Sequence, residues 1–332
     1  MKNRFEIFIV GFPVFSGFLF PEFLVCAEKK TIHRPTSPAL LLPRSPSSPK
    51  MARVLITGGS GFVGRAVARR LVQNGARVCA VSRTGGPPSA VADDWCRSPL
   101  IDWACLDCTD TEQMQQLIQD FKPTAYVHTV GALLEKSHYK SIIEPFTGLA
   151  SLAGLKREEH EEATPQMTPD YNIINRDTLA SVVECAGVQQ AQTESPDAAK
   201  PPFVFVSAYA APPLVDQRYI ESKREGEEIL FANNNVRPIV MRPGFLYSEE
   251  RDWSMALAGL LHIASSAHKG PLVGVSSMIK SMLPPMIDLK FAHESPLRVE
   301  ILADAIVQGI ASKDCFGILE GADIPKMGNQ AN

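Results

Sequence analysis

The stretch ARVLITGGSGFVGRAVARRLVQNGARVCAVSR, residues 52–83, limits what this chain can fold into more than any other part of it. Arg53–Ile56 opens a short apolar run of the kind that forms a buried parallel strand. Thr57, Gly58, Gly59, Ser60, Gly61, Phe62, Val63 and Gly64 follow as a glycine-rich turn. From Arg65 to Asn74 the spacing predicts a helix, with Val67, Leu71 and Val72 inward and a stop at Gly75. Arg77–Val81 then reads as a second strand. Strand, glycine turn, helix and strand in that order form a recognisable unit. So tight a turn needs residues without a Cβ, and the N–H groups at the helix start attract phosphate. Thr57–Gly64 is therefore a candidate cradle for a dinucleotide pyrophosphate, set against a glycine turn with no ligand.

The end of the second strand narrows the ligand. An NAD-type site places a carboxylate there to bond the ribose hydroxyls. This chain has Ser82 and Arg83 with no carboxylate nearby. A guanidinium suits a 2′-phosphate, so NADP(H) is expected over NAD(H). Trp103–Leu106 predicts a third strand leading to Asp107, which is placed to meet the adenine edge. Thr111–Phe121 predicts a helix and Ala125–Thr129 a fourth strand, carrying His128 towards the cofactor. Gly131 follows and lets the backbone approach the ribose. Residues 170–186 predict another helix, with Ile173, Ile174, Leu179, Val182 and Val183 forming its apolar positions. Phe203–Val206 is a further buried strand ending at Ser207. Alternating strands and helices with short connections predict an α/β fold, a Rossmann-type doubly wound parallel sheet with right-handed crossovers. A small C-terminal substrate lobe completes it.

RYIESKREGEEI, residues 218–229, places Tyr219 and Lys223 on one face of a helix that Asp216 can cap. The pattern arises easily by chance. One reading is a proton-transfer pair; the other is a solvated face on which Lys223 pairs with Glu227 and Arg224 with Glu228. In a doubly wound sheet, ligands sit at the carboxyl ends of the strands. Ser207 is delivered to that side.

Taken together, several motifs resemble the short-chain dehydrogenase/reductase superfamily, in its extended, epimerase/dehydratase-like form. They are TGGSGFVG, LDCTD after the third strand, VHTVG after the fourth, Asn175, Ser207, Tyr219 with Lys223, MRPGFLY at 241–247 and LRVEILADAI. The resemblance runs over residues 51–320. It implies that Tyr219 gives or takes the proton. Lys223 would lower the phenol pKa and bond the nicotinamide ribose, and Ser207 would steady the substrate oxygen. It also implies that Arg242 and Pro243 line the cofactor. SAYAAPPLVDQRYIESKREGEEIL resembles two mitochondrial branches: the NADPH-carrying accessory subunit of respiratory complex I, and a fungal coenzyme Q biosynthesis protein. GFLYSEERDW and NRDTLASV look more like the second. That resemblance implies a nicotinamide dinucleotide ligand, a prenylated quinone precursor and an inner-membrane complex as partners. It leaves open turnover, a structural role for the cofactor, and nucleotide-sugar epimerase or dehydratase chemistry.

The remaining organisation comes from composition. Residues 1–50 form an N-terminal segment, 51–245 the dinucleotide-binding domain, and 246–332 the C-terminal lobe, with a strand and helix near 296–312 returning to the core. Phe5 to Ala27 is apolar enough to suggest a membrane span or a signal peptide, against which stand its glutamates and prolines. Lys29 to Lys50 is basic, rich in Ser and Pro, and no acid occurs between Glu28 and Asp93. Organelle import machinery reads that character, so a mitochondrial protein, peripheral on the matrix side of the inner membrane, is expected. Met51 is a candidate alternative start. Seven cysteines, an odd number, fit free thiols in a reducing compartment. Cys105 and Cys108 are expected as two buried thiols, with no metal site. The run KREEHEE, with His160, is expected to be solvated. A net charge of −3 gives no argument for nucleic acid. Between Asp252 and Asp288 there is no acid, which suits a lipid surface or a prenylated substrate as well as ordinary lobe packing.

Overall fold

Strand β1 (Arg53–Thr57) sends successive side chains to opposite faces, and both faces are buried. Val54 and Ile56 join one apolar cluster with Val67, Leu71 and Leu302. Leu55 joins the other, with Met114, Ile118 and Leu179. Two-sided burial explains why the strand reads as a continuous apolar run instead of an alternation. In the computed structural model the described residues are 52–87, 94–132, 170–193, 199–211, 215–249, 254–255, 258–259, 295–321 and 323–328. They belong to one unit, Ser48–Asn332. The expectations for residues 1–50, for the acidic run with His160, and for most of the acid-free stretch of the C-terminal lobe lie outside the described residues.

The other strands are β2 (Arg77–Ser82), β3 (Ile101–Cys105), β4 (Ala125–His128), β5 (Pro202–Val206) and β6 (Arg237–Arg242). A two-residue pair, β7 (Leu246–Tyr247) and β8 (Leu297–Arg298), forms a separate small sheet, and β9 (Gly317–Glu320) returns to the main one. The main sheet has seven strands in the order β3-β2-β1-β4-β5-β6-β9, and every pairing in it is parallel. The chain winds outward from β1 through β2 and β3, then crosses to β4 on the other side of β1. The connections after β1 and β4 thus part above the sheet and leave a crevice, the usual place for a ligand in such folds.

The helices are α1 (Phe62–Gln73), α2 (Thr111–Phe121), α3 (Thr178–Ala191), α4 (Gln217–Ala232), α5 (Val299–Ala311) and α6 (Asp323–Gly328). The apolar sides of α1, α5 and α6 cover one face of the sheet, while those of α2, α3 and α4 cover the other. Asp110 caps α2 by accepting from the Gln113 N–H, and Asp216 caps α4 by accepting from Arg218. Both starts are written in the sequence, because an Asp side chain satisfies a donor that the helix leaves open.

The bounds of two elements shift, α1 starting at Phe62 instead of Arg65 and β3 running Ile101–Cys105 instead of Trp103–Leu106, and two further features depart from the sequence reading. The helix expected from residue 170 begins with a π-turn, Asn172–Asp177. Ile173, one of the apolar positions of that helix, lies in this wider turn and is 50% exposed. Strand β9 gave no apolar signal, because it opens on Gly317 and leaves Ile318 exposed.

Phe203 of β5 has no exposed surface and stacks on Tyr126 of β4, with ring centroids 5.6 Å apart. Phe203→Ala removes that contact and leaves a cavity between sheet and helices. It is expected to cost about 3–5 kcal/mol of stability, read from the midpoint of a urea unfolding curve.

Candidate functional site

The glycine turn is built by close approach. Gly58 has φ +79°, a conformation that residues with a Cβ rarely adopt. A Cβ there would also stand 3.0 Å from the backbone of Thr129 and Val130, on the loop after β4. A Cβ on Gly64 would lie 2.1 Å from the Gly58 carbonyl oxygen. The start of α1 therefore packs directly on the turn. Gly61 occupies the N-cap, and no side chain caps this helix end. The backbone N–H groups of Gly58 and Gly59 are taken by the Val81 carbonyl, at 2.9 and 3.0 Å. Donors for a phosphate would thus come from the start of α1. Space bounded by backbone, with a helix N-terminus beside it, fits a dinucleotide pyrophosphate.

The adenosine side lies after β2 and β3. Arg83 is exposed, and Ser82 is buried with its hydroxyl within 3.2 Å of the Gly85 N–H. Asp107 accepts from the Thr109 N–H at 2.9 Å and from the Thr109 hydroxyl at 2.8 Å. The Thr109 N–H holds the Asp107 carboxyl below its usual range against the opposing effect of burial, with help from the Thr109 hydroxyl and the Arg83 guanidinium. Cys105 is exposed and donates its S–H to the Arg83 carbonyl at 3.1 Å, whereas Cys108 is buried. The expectation of two buried thiols is corrected on this point: Cys105 ends its strand on the rim, and Cys108 turns into the core.

On the opposite wall, Gly131 again marks close approach. A Cβ there would come within 2.8 Å of the Lys223 Nζ and 3.3 Å of the Asn175 Oδ1. Asn175 is fully buried; its Oδ1 accepts from the Ala132 N–H at 3.0 Å and its Nδ2 donates to the Ser222 hydroxyl at 3.1 Å. His128, grouped with the cofactor residues from the sequence, has no exposed surface. Its Nδ1 lies 2.7 Å from the Thr57 hydroxyl and its Nε2 3.4 Å from that of Thr178. Both His128 and the Thr57 side chain face the interior beneath the crevice. Pro243 is buried, and its carbonyl accepts from the Tyr209 N–H at 2.9 Å.

Ser207 ends β5 as expected, but its partners are internal. Its hydroxyl donates to the Glu227 Oε1 at 2.5 Å and lies 3.3 Å from the Arg224 Nη1. The buried Glu227 carboxylate sits between two guanidinium groups, those of Arg224 and Arg242. Arg242 also reaches Glu320 at 3.0 Å, so it is committed to carboxylates on two sides. Arg224 donates to the carbonyls of Ala208 and Tyr209 at 3.0 and 2.9 Å and shapes the loop after β5. Burial acts to raise the Glu227 pKa, but the Arg242 and Ser207 hydrogen bonds and both arginine charges hold it below the ordinary range. The ion pairs of the solvated-face reading do not form as drawn: Arg224 pairs with Glu227, three residues on, and Lys223 makes no direct pair with it. Sequence reasoning left Glu227 and Arg224 out of the site. The helical spacing of three was the signal available.

Tyr219 and Lys223 also differ from their expected relation. Tyr171 stands edge-on to the Tyr219 ring, with centroids 5.9 Å apart. Burial pushes the Tyr219 phenol up to about 12; Tyr171 adds to this, and Arg224, not Lys223, opposes it. Lys223 is buried, and its ammonium donates to the carbonyls of Val130 and Val206, each at 3.2 Å. It also stands 4.9 Å above the Phe205 ring. Burial lowers its pKa to about 7, against an opposing effect of Glu227.

That value sets a stability profile for the cofactor-free chain. An unfolded lysine titrates near about 10.4, so above about pH 7 the unfolded chain binds the proton that the native site has released. Stability therefore rises with pH from about 7 upward. His128, lowered below its ordinary value, contributes only at more acid pH. The thiols of Cys79 and Cys108, raised to about 12, of Cys185, raised to about 11, and of Cys315, also raised, act in the opposite sense as pH enters the ordinary thiol range. Urea midpoints should thus climb between about pH 7 and 8, before the thiols titrate in the unfolded chain, and lose that slope in Lys223→Met. A wild-type slope of zero or below would overturn the assignment.

Comparison with known proteins places this geometry in a family. A family model described as the NAD dependent epimerase/dehydratase family matches residues 54–277. MIOREX complex component 2 of Saccharomyces cerevisiae is 28% identical over 210 residues, 60% of this chain and 74% of that protein. An uncharacterized chloroplastic protein of Arabidopsis thaliana is 24% identical over 275 residues, 81% of this chain and 75% of that protein. Among solved structures, WbmG of Bordetella bronchiseptica in complex with NAD is similar at a TM-score of 0.48. It is 14% identical, covering 88% of this chain and 79% of that one. The family match extends over more than half of the chain, from β1 into the C-terminal lobe. The chain therefore belongs to the NAD dependent epimerase/dehydratase family.

Proposed function

We propose that this is a mitochondrial, NADP(H)-binding reductase or dehydrogenase acting in ubiquinone biosynthesis, peripheral to the matrix side of the inner membrane. Its substrate would be a carbonyl or alcohol of a prenylated quinone precursor. One observation carries the reading: the glycine turn from Gly58 to Gly64 packs beside the loop after β4, where Lys223 and Asn175 approach Gly131. NADP(H) is favoured over NAD(H) by the exposed Arg83 at the end of β2 and by the lack of a carboxylate there. The mitochondrion is supported by the basic, acid-free character of residues 29–50, and an organellar location in general by the chloroplastic relative. The quinone assignment rests on the resemblance of SAYAAPPLVDQRYIESKREGEEIL and GFLYSEERDW to the coenzyme Q branch, together with the acid-free apolar stretch before Asp288.

When bound, the nicotinamide supplies or accepts the hydride. The chain's own residues would handle the rest. Tyr219 holds or moves the proton at its phenol oxygen. A phenol at about 12 is a poor base near neutral pH, so turnover requires a cation brought closer to it. Lys223, one helical turn away, is the candidate, on breaking its bonds to Val130 and Val206. The Gly131 backbone keeps the space in which a ribose would meet that ammonium.

A second reading, a non-catalytic subunit that uses the cofactor for structure within a membrane-associated complex, draws on a different observation. Ser207 gives its only hydroxyl proton to Glu227, so in this state it has none to offer a substrate oxygen. The yeast relative, named as a component of a complex, fits this alternative.

The two separate in cells. Quinones and their precursors would be measured by mass spectrometry in cells lacking the protein and rescued with wild type, Tyr219→Phe or Gly61→Asp. Gly61→Asp places a carboxylate where phosphate belongs, and its Cβ would meet the Gly58 carbonyl oxygen at 3.1 Å, so its abundance is measured alongside. This variant is expected to fail. Failure of Tyr219→Phe at normal abundance, with one precursor accumulating, supports catalysis. Full rescue by Tyr219→Phe replaces it with the structural role. Unchanged quinone levels in the deletion remove the pathway.

A further inference from the structure

We propose that His128 is a positioning residue. It ties the phosphate turn to the π-turn that carries Asn175, and so fixes the span between the two ends of the dinucleotide site. The inference rests on reading the glycine turn as that site.

The bridge is a directed chain of hydrogen bonds. In an α-helix the Thr178 N–H would bond the carbonyl of Ile174, four residues back. Here it bonds Ile173 instead, and the Thr178 hydroxyl donates to the Ile174 carbonyl at 2.6 Å. That hydroxyl has one proton, so towards the His128 Nε2, 3.4 Å away, it can only accept. The imidazole proton is therefore on Nε2. Nδ1 is the acceptor, and the Thr57 hydroxyl donates to it at 2.7 Å. Each member hands its proton in the same direction, from β1 through β4 to α3. Thr57 and His128 are fully buried and Thr178 nearly so. Burial holds His128 neutral, and the Lys223 charge acts in the same sense.

What lies at each end gives the chain its purpose. Thr57 directly precedes Gly58, whose positive φ starts the glycine turn. Ile174 directly precedes Asn175, which grips Ala132 on the loop after Gly131. Asn175 also bonds Ser222, whose hydroxyl donates to the Tyr219 carbonyl at 2.9 Å. One line of buried contacts thus joins the pyrophosphate end to the wall that carries Tyr219 and Lys223. A ligand that spans both ends depends on the length of this line. A ligand that touches only the adenosine and phosphate end does not.

The test is isothermal titration of the full chain with NADPH and with adenosine 2′,5′-bisphosphate, which lacks the nicotinamide half. NADH and ADP form a second pair, so that the choice of cofactor does not decide the outcome. His128→Leu and Thr178→Val should each weaken the dinucleotide about tenfold, the order expected when a buried hydrogen bond is broken, and leave the half-ligand unchanged. His128→Gln, which can still accept and donate, should recover most of the affinity. Equal loss for both ligands, no loss for either, or no advantage of Gln over Leu overturns the proposal. If His128→Leu fails to fold, Thr178→Val carries the same comparison. A nitrogen-15 NMR spectrum of the wild type gives an independent reading: a His128 proton on Nδ1 contradicts the bridge. A wild-type chain that binds none of the four ligands removes the dinucleotide reading itself, a different failure.

Discussion

The approach of α1 to the end of β1 is the constraint on which the site depends. With a Cβ on Gly64 2.1 Å from the Gly58 oxygen, the helix would have to retreat and its N-terminus would leave the crevice. With a Cβ on Gly58, the turn would collide with the loop after β4. Neither contact adds much apolar burial. Their effect is to bring backbone to backbone, so that the start of α1 sits against the glycine turn at the point where the strand order reverses.

Around that opening the chain buries charge in two contrasting ways. Glu227 is balanced: two guanidinium groups and the Ser207 hydroxyl surround it, and it stays ionised despite its burial. Removing one partner from such a cluster leaves an uncompensated charge, which is strongly destabilising. The cluster also joins β5, α4, β6 and β9 at one corner through Ser207, Glu227, Arg242 and Glu320. Lys223 is the unbalanced case, with carbonyl oxygens and an aromatic face about it and no carboxylate in direct contact.

Much of this was legible in the sequence where one local rule decides. The limits of α2, Thr111–Phe121, follow from an Asp cap and amphipathic spacing, and both held to the residue. The β1–turn–α1–β2 unit was legible because buried parallel strands are apolar on both faces and the glycines between them have few other uses. The misses share a different cause. The π-turn depends on a Thr178 hydroxyl finding the Ile174 carbonyl, and nothing in the spacing of Ile173 and Ile174 announces that. The inward turn of His128 depends on the β1–β4 register, which sets it opposite Thr57. The choice of Glu227 as the Arg224 partner depends on Arg242 arriving from another strand. Helical spacing allows pairs at three and at four. Residues placed by their own helix or strand were readable, and residues placed by a second element were not.

The buried lysine bears on why this corner of the fold persists. An ammonium removed from water without a counter-charge lowers the stability of the cofactor-free chain, and Phe205 with two carbonyls offsets only part of that cost. A hydrophobic residue at position 223 would fill the same space without it. On the proposed reading the unfavourable term is confined to the state without cofactor. Ribose hydroxyls in the space beside Gly131 would add acceptors to the ammonium, and a nearby pyrophosphate would favour its charged form. Cofactor binding would then take up a proton near neutral pH, because the site that titrates at about 7 would be held protonated once the ligand is in place. The chain would gain stability from its ligand in two ways, through the contacts made at the glycine turn and through relief of the charge buried opposite it.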